Sequence, residues 1–298
     1  MGADSHLLID RSARSARYYR NAVERHWDPA DVDLAGDRDA LLEADEELLD
    51  GLRVSLAKFG AGEQSVTEDL APLAVVLDDL EDELFVTTQL YEEAKHTDFF
   101  DRYWAAVVNA VEDDRGLTRT SPTESHWFDD DYRELFERNE AAMARLLTED
   151  TPETRARAYS HYHLVIEGIL AQTGYYGLTR AFSGEFEGVP ELSGLAEGLA
   201  LIRGDEGRHV GFGMAKLREL VLDEGVDPDV LSSTVADLVG LVRGTLAAGD
   251  DEHAGEPILD PGELIAYAVE KHTDRMRQIT DAAADIPDVE RLTSLDPD

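Results

Sequence analysis

The 298-residue sequence contains no cysteine, and only four of its 27 cationic side chains are lysines (Lys58, Lys95, Lys216 and Lys271). Lack of cysteine excludes disulfides, thiolate nucleophiles and sulfur ligands for a metal. Positive charge is equally scarce, since 65 acids leave a net charge of −38. No basic face is available to neutralise phosphates, which argues against a nucleic-acid partner. No apolar run approaches the ~18 residues needed to cross a bilayer, and the start "MGADSHLLIDRSARSARYYR" lacks an apolar signal core. These absences predict a cytoplasmic protein without a transmembrane segment.

An excess of negative charge weakens a compact fold by self-repulsion, and concentrated salt relieves it by shortening the screening length to ~3 Å at 1 M. The composition is that expected of an intracellular protein from a salt-loving organism. A hydrophobic content of 43% still supplies a core of normal size.

Helical periodicity runs through nearly the whole chain, and strand-like alternation bounded by turn residues is absent. The predicted class is all-α. Helices are expected over about 38–58, ending at "FGAG", from about 63 to the acidic "DDLEDE", and over about 83–113, 129–148, 151–183, 190–223, 228–248 and 260–284. Residues 114–128 read as a loop, and Thr151 and Pro152 as the N-cap and first residue of the helix they open. The tail "DIPDVERLTSLDPD" looks weakly ordered, and with no linker to split the chain, residues 1–298 read as one domain with its core at about 38–284 and both termini peripheral.

Two of these helices carry Glu-x-x-His, as "LYEEAKHTDFF" (Glu93, His96) and "LIRGDEGRHVGFGM" (Glu206, His209). In a Glu-rich chain with nine histidines, chance supplies roughly one such motif, so position must decide. Phe85, Gln89, Glu93, His96, Phe100, Tyr103 and Val107 follow at steps of three or four, as do Leu195, Leu199, Ile202, Glu206, His209 and Gly213. Each set forms one stripe with its Glu and His at the centre of an apolar face. A buried carboxylate without a counter-charge costs several kcal/mol or takes up a proton, so a cation is expected there.

A pair of dications needs more carboxylate, and a four-helix di-metal bundle draws one Glu from each of two further helices. Glu167, mid-helix in "YSHYHLVIEGILAQTGYYGL", and Glu63, in "GEQSVTEDL", are the candidates. Level residues on antiparallel neighbours require the turn midway between them. Between Glu63 and Glu93 that is residue 78, and between Glu167 and Glu206 it is 186–187, both in predicted breaks. The 71 residues from His96 to Glu167 suit a long crossover through the helix at 129–148. The expected fold is a ferritin-like four-helix bundle core with additional flanking helices. Oxygen and nitrogen donors without thiolate suit iron or manganese, and two such ions can accept dioxygen and deliver two oxidising equivalents.

The set Glu63, Glu93-x-x-His96, Glu167, Glu206-x-x-His209 resembles the ribonucleotide reductase small-subunit superfamily. The radical tyrosine of that enzyme lies four residues after the first His, where this sequence has Phe100, and the last 20 residues contain no aromatic to pass a radical onward. "GEQSVT", "EEAKHT" and "YSHYHLVIEG" resemble the reductase-small-subunit-like ligand-binding oxidases, with similarity over about residues 40–280. That resemblance implies a mixed manganese/iron centre, with di-iron as the alternative. It also implies a long-chain fatty acid bound at the metals, dioxygen activation, a homodimer, and an ether cross-link between Val66 and Tyr162. Tyr175 resembles a tyrosine standing just behind the ligands in that family.

On an ideal helix a one-turn step puts Val66 on the Glu63 face, whereas Tyr162 and Glu167, five apart, differ by about 140°. His161 is expected to be exposed, His163 to lie in the core or behind a ligand, and Asp205 to be a surface acid or an acceptor behind a ligand. His6, His26, His126, His253 and His272 have no partner at ligand spacing. Competing readings are a ribonucleoside-diphosphate reductase small subunit that stores its oxidant on the metals, an iron-storage shell and a purely structural bundle. The charge excess makes its own prediction: the melting temperature should rise steadily with potassium chloride concentration, and a curve flat in salt would contradict the salt-loving reading.

Overall fold

The computed structural model describes residues 8–247 and 258–293, and among these every regular element is helical. His6, His253, the expected helix end at 248 and residues 294–298 of the tail lie outside the described residues. The chain opens with α1 (Arg14–Glu24) and the short α2 (Ala35–Leu41), then α3 (Glu46–Asp69), capped by Asp45, whose side chain accepts from Leu48 N. α3 runs straight through "FGAG", where a break was expected. Gly60 and Gly62 are contact glycines there: a Cβ on either would stand 3.3 Å from Phe100 or Phe136. The close approach of the neighbouring rings outweighs the intrinsic cost of glycine in a helix.

α3 ends at Asp69 instead of reaching the acidic cluster, because Pro72 starts a separate short helix, α4 (Ala71–Val76). The chain then reverses at 77–79 into α5 (Leu80–Tyr103), the turn that the level pairing of Glu63 and Glu93 required. α5 continues through a π turn (Trp104–Val108) into α6 (Asn109–Arg115), which closes on Gly116 in the left-handed conformation. After the loop, α7 (Asp130–Leu146) is capped by Asp129. The next long helix begins as predicted, with Thr151 accepting from Thr154 N and Pro152 in the first turn. It is built of α8 (Pro152–Tyr159), a π-helical stretch (Ser160–Ala171) and α9 (Gln172–Ala181). A second reversal, at 182–192, leads into α10 (Ser193–Leu222), again midway between the paired glutamates.

These four long rods (α3, α5, the α8–α9 helix and α10) form the central bundle, with α7 the crossover between the second and third. α11 (Pro228–Ala247) covers α7 and the π stretch, and α12 (Pro261–Thr280) lies across α9 and α10. The termini are less peripheral than expected. α1 packs on α5 and α10 through buried Tyr18, and α13 (Val289–Leu292), in the tail expected to be weakly ordered, sits on α10. Among the described residues no helix is long and apolar enough to cross a membrane.

Two buried clusters fill the bundle, one at each end of the polar layer: one around Phe85, Tyr159, Tyr162 and Phe212, the other around Phe99, Phe100, Tyr103 and Tyr175. Close packing is set by glycines of α10 as well as by large side chains. A Cβ on Gly198 would overlap the fully buried Phe99 ring at 2.0 Å. Gly198→Ala should therefore cost about 1–3 kcal/mol, the range for overpacking a filled core, readable as a lowered unfolding midpoint in urea at fixed salt.

Candidate metal centre

All six predicted donors meet in the middle of the bundle, and all are buried. Glu63 comes from α3, Glu93 and His96 from α5, Glu167 from the π-helical stretch, and Glu206 and His209 from α10. They fall into two groups, each compact enough to hold one ion: Glu63, Glu93, His96 and Glu206, and beside them Glu93, Glu167 and His209. The Glu-x-x-His spacing places each pair one turn apart on the inward face of its helix.

The two imidazoles are oriented alike. Nδ1 of His96 faces Glu63 at 3.4 Å, Glu93 at 3.4 Å and Glu206 at 3.5 Å, while its Nε2 lies 3.1 Å from Asp205. Nδ1 of His209 faces Glu93 at 3.0 Å, Glu167 at 3.4 Å and Glu206 at 3.8 Å, and its Nε2 lies 2.9 Å from Glu92. A carboxylate on the outer nitrogen fixes the tautomer that leaves Nδ1 as a lone-pair donor. Glu93 and Glu206 each turn one oxygen toward His96 and the other toward His209, the disposition a bridging carboxylate needs.

The donor set fits a pair of divalent ions. Both Nδ1 atoms, Glu167 Oε2 and Glu206 Oε2 are buried without a hydrogen-bond partner, and four carboxylates match the charge of two dications. Without metal the cluster must hold protons instead. Burial first, then neighbouring glutamates, pushes Glu167 well above the carboxylate range and raises Glu206, while Glu63 is pushed up to about 7. Burial opposes charge on the imidazoles too, but Glu63 beside His96 and Glu93 beside His209 hold both well above the usual histidine value. Glu93 runs against its burial, held well below the usual range by the two histidines.

Tyr162 lies nearer the donors than an α-helix permits. A π-helix bonds residue i to i+5, so residues five apart share a face, and the stretch Ser160–Ala171 removes most of the 140° offset between Tyr162 and Glu167. The Tyr162 hydroxyl donates to Glu93 Oε1 at 2.8 Å, and Gln89 Nε2 donates to Glu167 at 2.9 Å and to the Tyr162 oxygen at 3.3 Å. The Tyr175 hydroxyl donates to Glu63, and Val66 is buried one turn beyond Glu63 on α3.

Other candidates resolve differently. His163 is a core residue with neither ring nitrogen partnered, packed 4.6 Å from the Tyr162 ring. His161 is half-buried where exposure was expected, and burial with nearby Arg138 and Arg157 lowers it to about 4. Asp205 is no surface acid: it is buried and accepts from Trp27 Nε1 and His96. Glu92, Arg208 and Trp27 escaped sequence reasoning altogether. The Glu92–Glu93 doublet was the one visible signal, since two adjacent acids on a buried helix both demand partners.

A four-helix bundle with a buried set of four carboxylates and two imidazoles defines a ferritin-like di-metal carboxylate protein. No family model matches the sequence. Solved structures do match, over 91% of this chain and 95% of theirs. A tyrosine-to-phenylalanine mutant of R2-like ligand-binding oxidase with aerobically reconstituted Mn/Fe cofactor is 30% identical with a TM-score of 0.79. A glycine-to-leucine mutant with Fe/Fe cofactor is 29% identical, also at 0.79. The chain belongs to the R2-like ligand-binding oxidase family.

Proton uptake by the metal-free site has a measurable sign. Glu63 titrates near 7 in the fold against an ordinary 4.5, so the folded state binds the extra proton, and metal-free stability from this group falls as pH rises between those values. Manganese(II) binding must displace that proton. Loading should release about one proton more at pH 6 than at pH 8, measured by indicator titration in weak buffer; equal release would contradict a protonated Glu63.

Proposed function

We propose that this protein is an oxygen-activating di-metal oxidase whose manganese and iron, or two irons, are held by Glu63, Glu93, His96, Glu167, Glu206 and His209. The reading rests on one observation: each imidazole presents a buried, unpartnered Nδ1 to three carboxylates, Glu93 and Glu206 being common to both, while a further carboxylate backs each ring. The metal pair, when bound, supplies the redox chemistry that delivers electrons to dioxygen. The chain is read as one ferritin-like unit that works as a cytoplasmic homodimer.

The protein's own residues prepare two partners for oxidation. Tyr162 sits with its O–H already donated to Glu93 Oε1, so a proton acceptor waits beside the phenol as its oxygen becomes a bonding atom. Gln89 holds the phenol oxygen and Glu167 together in one hydrogen-bonded cluster. Val66 supplies a C–H from the face of α3 that carries Glu63. Joining the Val66 carbon to the Tyr162 oxygen breaks one C–H and one O–H bond and releases two protons and two electrons, with dioxygen as the electron acceptor. Support for the cross-link is the position of Tyr162 among the donors together with family membership. The same site is proposed to take a long-chain fatty acid, its carboxylate head suited to the metals and its tail to the apolar residues around Val66.

Intact mass provides the test. Aerobic loading with manganese and iron should lower the mass of the wild-type chain by about two hydrogens, and the Tyr162→Phe chain should keep its full mass. An unmodified Val66/Tyr162 peptide pair from the loaded wild type would sink the cross-link.

A further inference from the structure

Behind the two imidazoles stands a second pair of carboxylates, and they are unequally loaded. Asp205 Oδ2 lies 3.1 Å from His96 Nε2, accepts from Trp27 Nε1 at 2.8 Å, and forms an ion pair with Lys95 Nζ at 2.8 Å. Its other oxygen accepts from Arg208 Nη2. Glu92 pairs with His209 Nε2 at 2.9 Å and is otherwise met by that same Arg208 nitrogen. The guanidinium is shared, so among the described residues the difference between the carboxylates is one ammonium and one indole N–H, both on the His96 side. Lys95, one of only four lysines in the chain, is buried, with its ammonium 4.6 Å from the centre of the Trp27 ring.

A carboxylate hydrogen-bonded to a ligating imidazole pushes electron density into the ring and strengthens it as a donor. A cation on that carboxylate takes back part of the push. We propose that Lys95 is a specificity-determining residue: by discharging Asp205 it weakens His96 as a donor relative to His209, and so controls how a scarce first ion divides between the two positions. The proposal deepens the di-metal reading and rests on it. The compact group at the His96 position gathers Glu63, Glu93 and Glu206, whereas that at the His209 position gathers Glu93 and Glu167 with Glu206 farther off at 3.8 Å, so the carboxylates by themselves favour the His96 position. Lys95 offsets that preference and brings the two affinities closer together, as a site that must fill both positions from a limited supply requires.

The test uses the full chain freed of metal and supplied with one equivalent of manganese(II) without oxygen. Anomalous scattering from crystals gives the occupancy of each position. Lys95→Met should raise the His96-to-His209 occupancy ratio about tenfold, the scale of effects of groups behind metal ligands. Lys95→Arg should restore the wild-type ratio, which a merely structural role for the side chain would not do. Trp27→Phe, which removes a hydrogen bond but no charge, should shift the ratio the same way by less, and it decides the matter if Lys95→Met does not fold. An unchanged or lowered ratio in Lys95→Met, or in Trp27→Phe where Lys95→Met does not fold, overturns the proposal. Failure of the wild type to fill both positions at two equivalents would sink the di-metal reading itself, and the proposal with it.

Discussion

Four carboxylates forced together inside an apolar bundle are the constraint on which the rest of the structure turns. Each would be costly alone, and together they repel across a few ångströms in a poorly screened interior. Two histidines offset part of that repulsion, and the metal-free protein answers the remainder through a raised proton affinity at Glu63, Glu167 and Glu206. A pair of dications removes the conflict without protons. The polar layer therefore stores an affinity for metal in the fold, at the cost of a core that hydrocarbon would stabilise more simply.

Around this layer the fold spends further buried charge on orientation. Glu92 and Asp205 aim the imidazoles, Arg208 ties those two acids together, and α1 with its following segment contributes Trp27 to the same network. Gln89 and Tyr162 meet Glu93 and Glu167 directly, Tyr162 from the stretch where its helix widens to π geometry. Such a widening strains the hydrogen-bond ladder and persists where packing enforces it. Here it carries a phenol to the donors that a regular helix would have turned away.

The surface obeys a separate logic. Among the described residues most acids lie away from the metal layer, where they contribute net charge and not the choice of fold. Relatives near 30% identity share the fold over 91% of this chain, so a surface this acidic coexists with an architecture fixed by the interior.

Much of the site was legible because it obeys one-dimensional rules. Helical periodicity put Glu93 with His96 and Glu206 with His209 on apolar stripes, and the requirement that turns fall midway between level residues paired them with Glu63 and Glu167. Those rules depend on spacing along a regular helix, which the sequence states directly. They failed where the backbone left regularity or where distant segments met. Gly60 and Gly62 looked like breakers until Phe100 and Phe136 supplied reasons for them, Tyr162 looked misaligned until the π-helix rewound it, and Trp27 gave no sign of reaching Asp205, 178 residues away. The amino-acid sequence by itself determined the all-α class and the six candidate donors that meet in the bundle, because local periodicity and charge suffice for these. Which carboxylates face both imidazoles, and which acids and cations stand behind them, was decided by tertiary packing alone, since those relations are distances between helices that no spacing within one helix encodes.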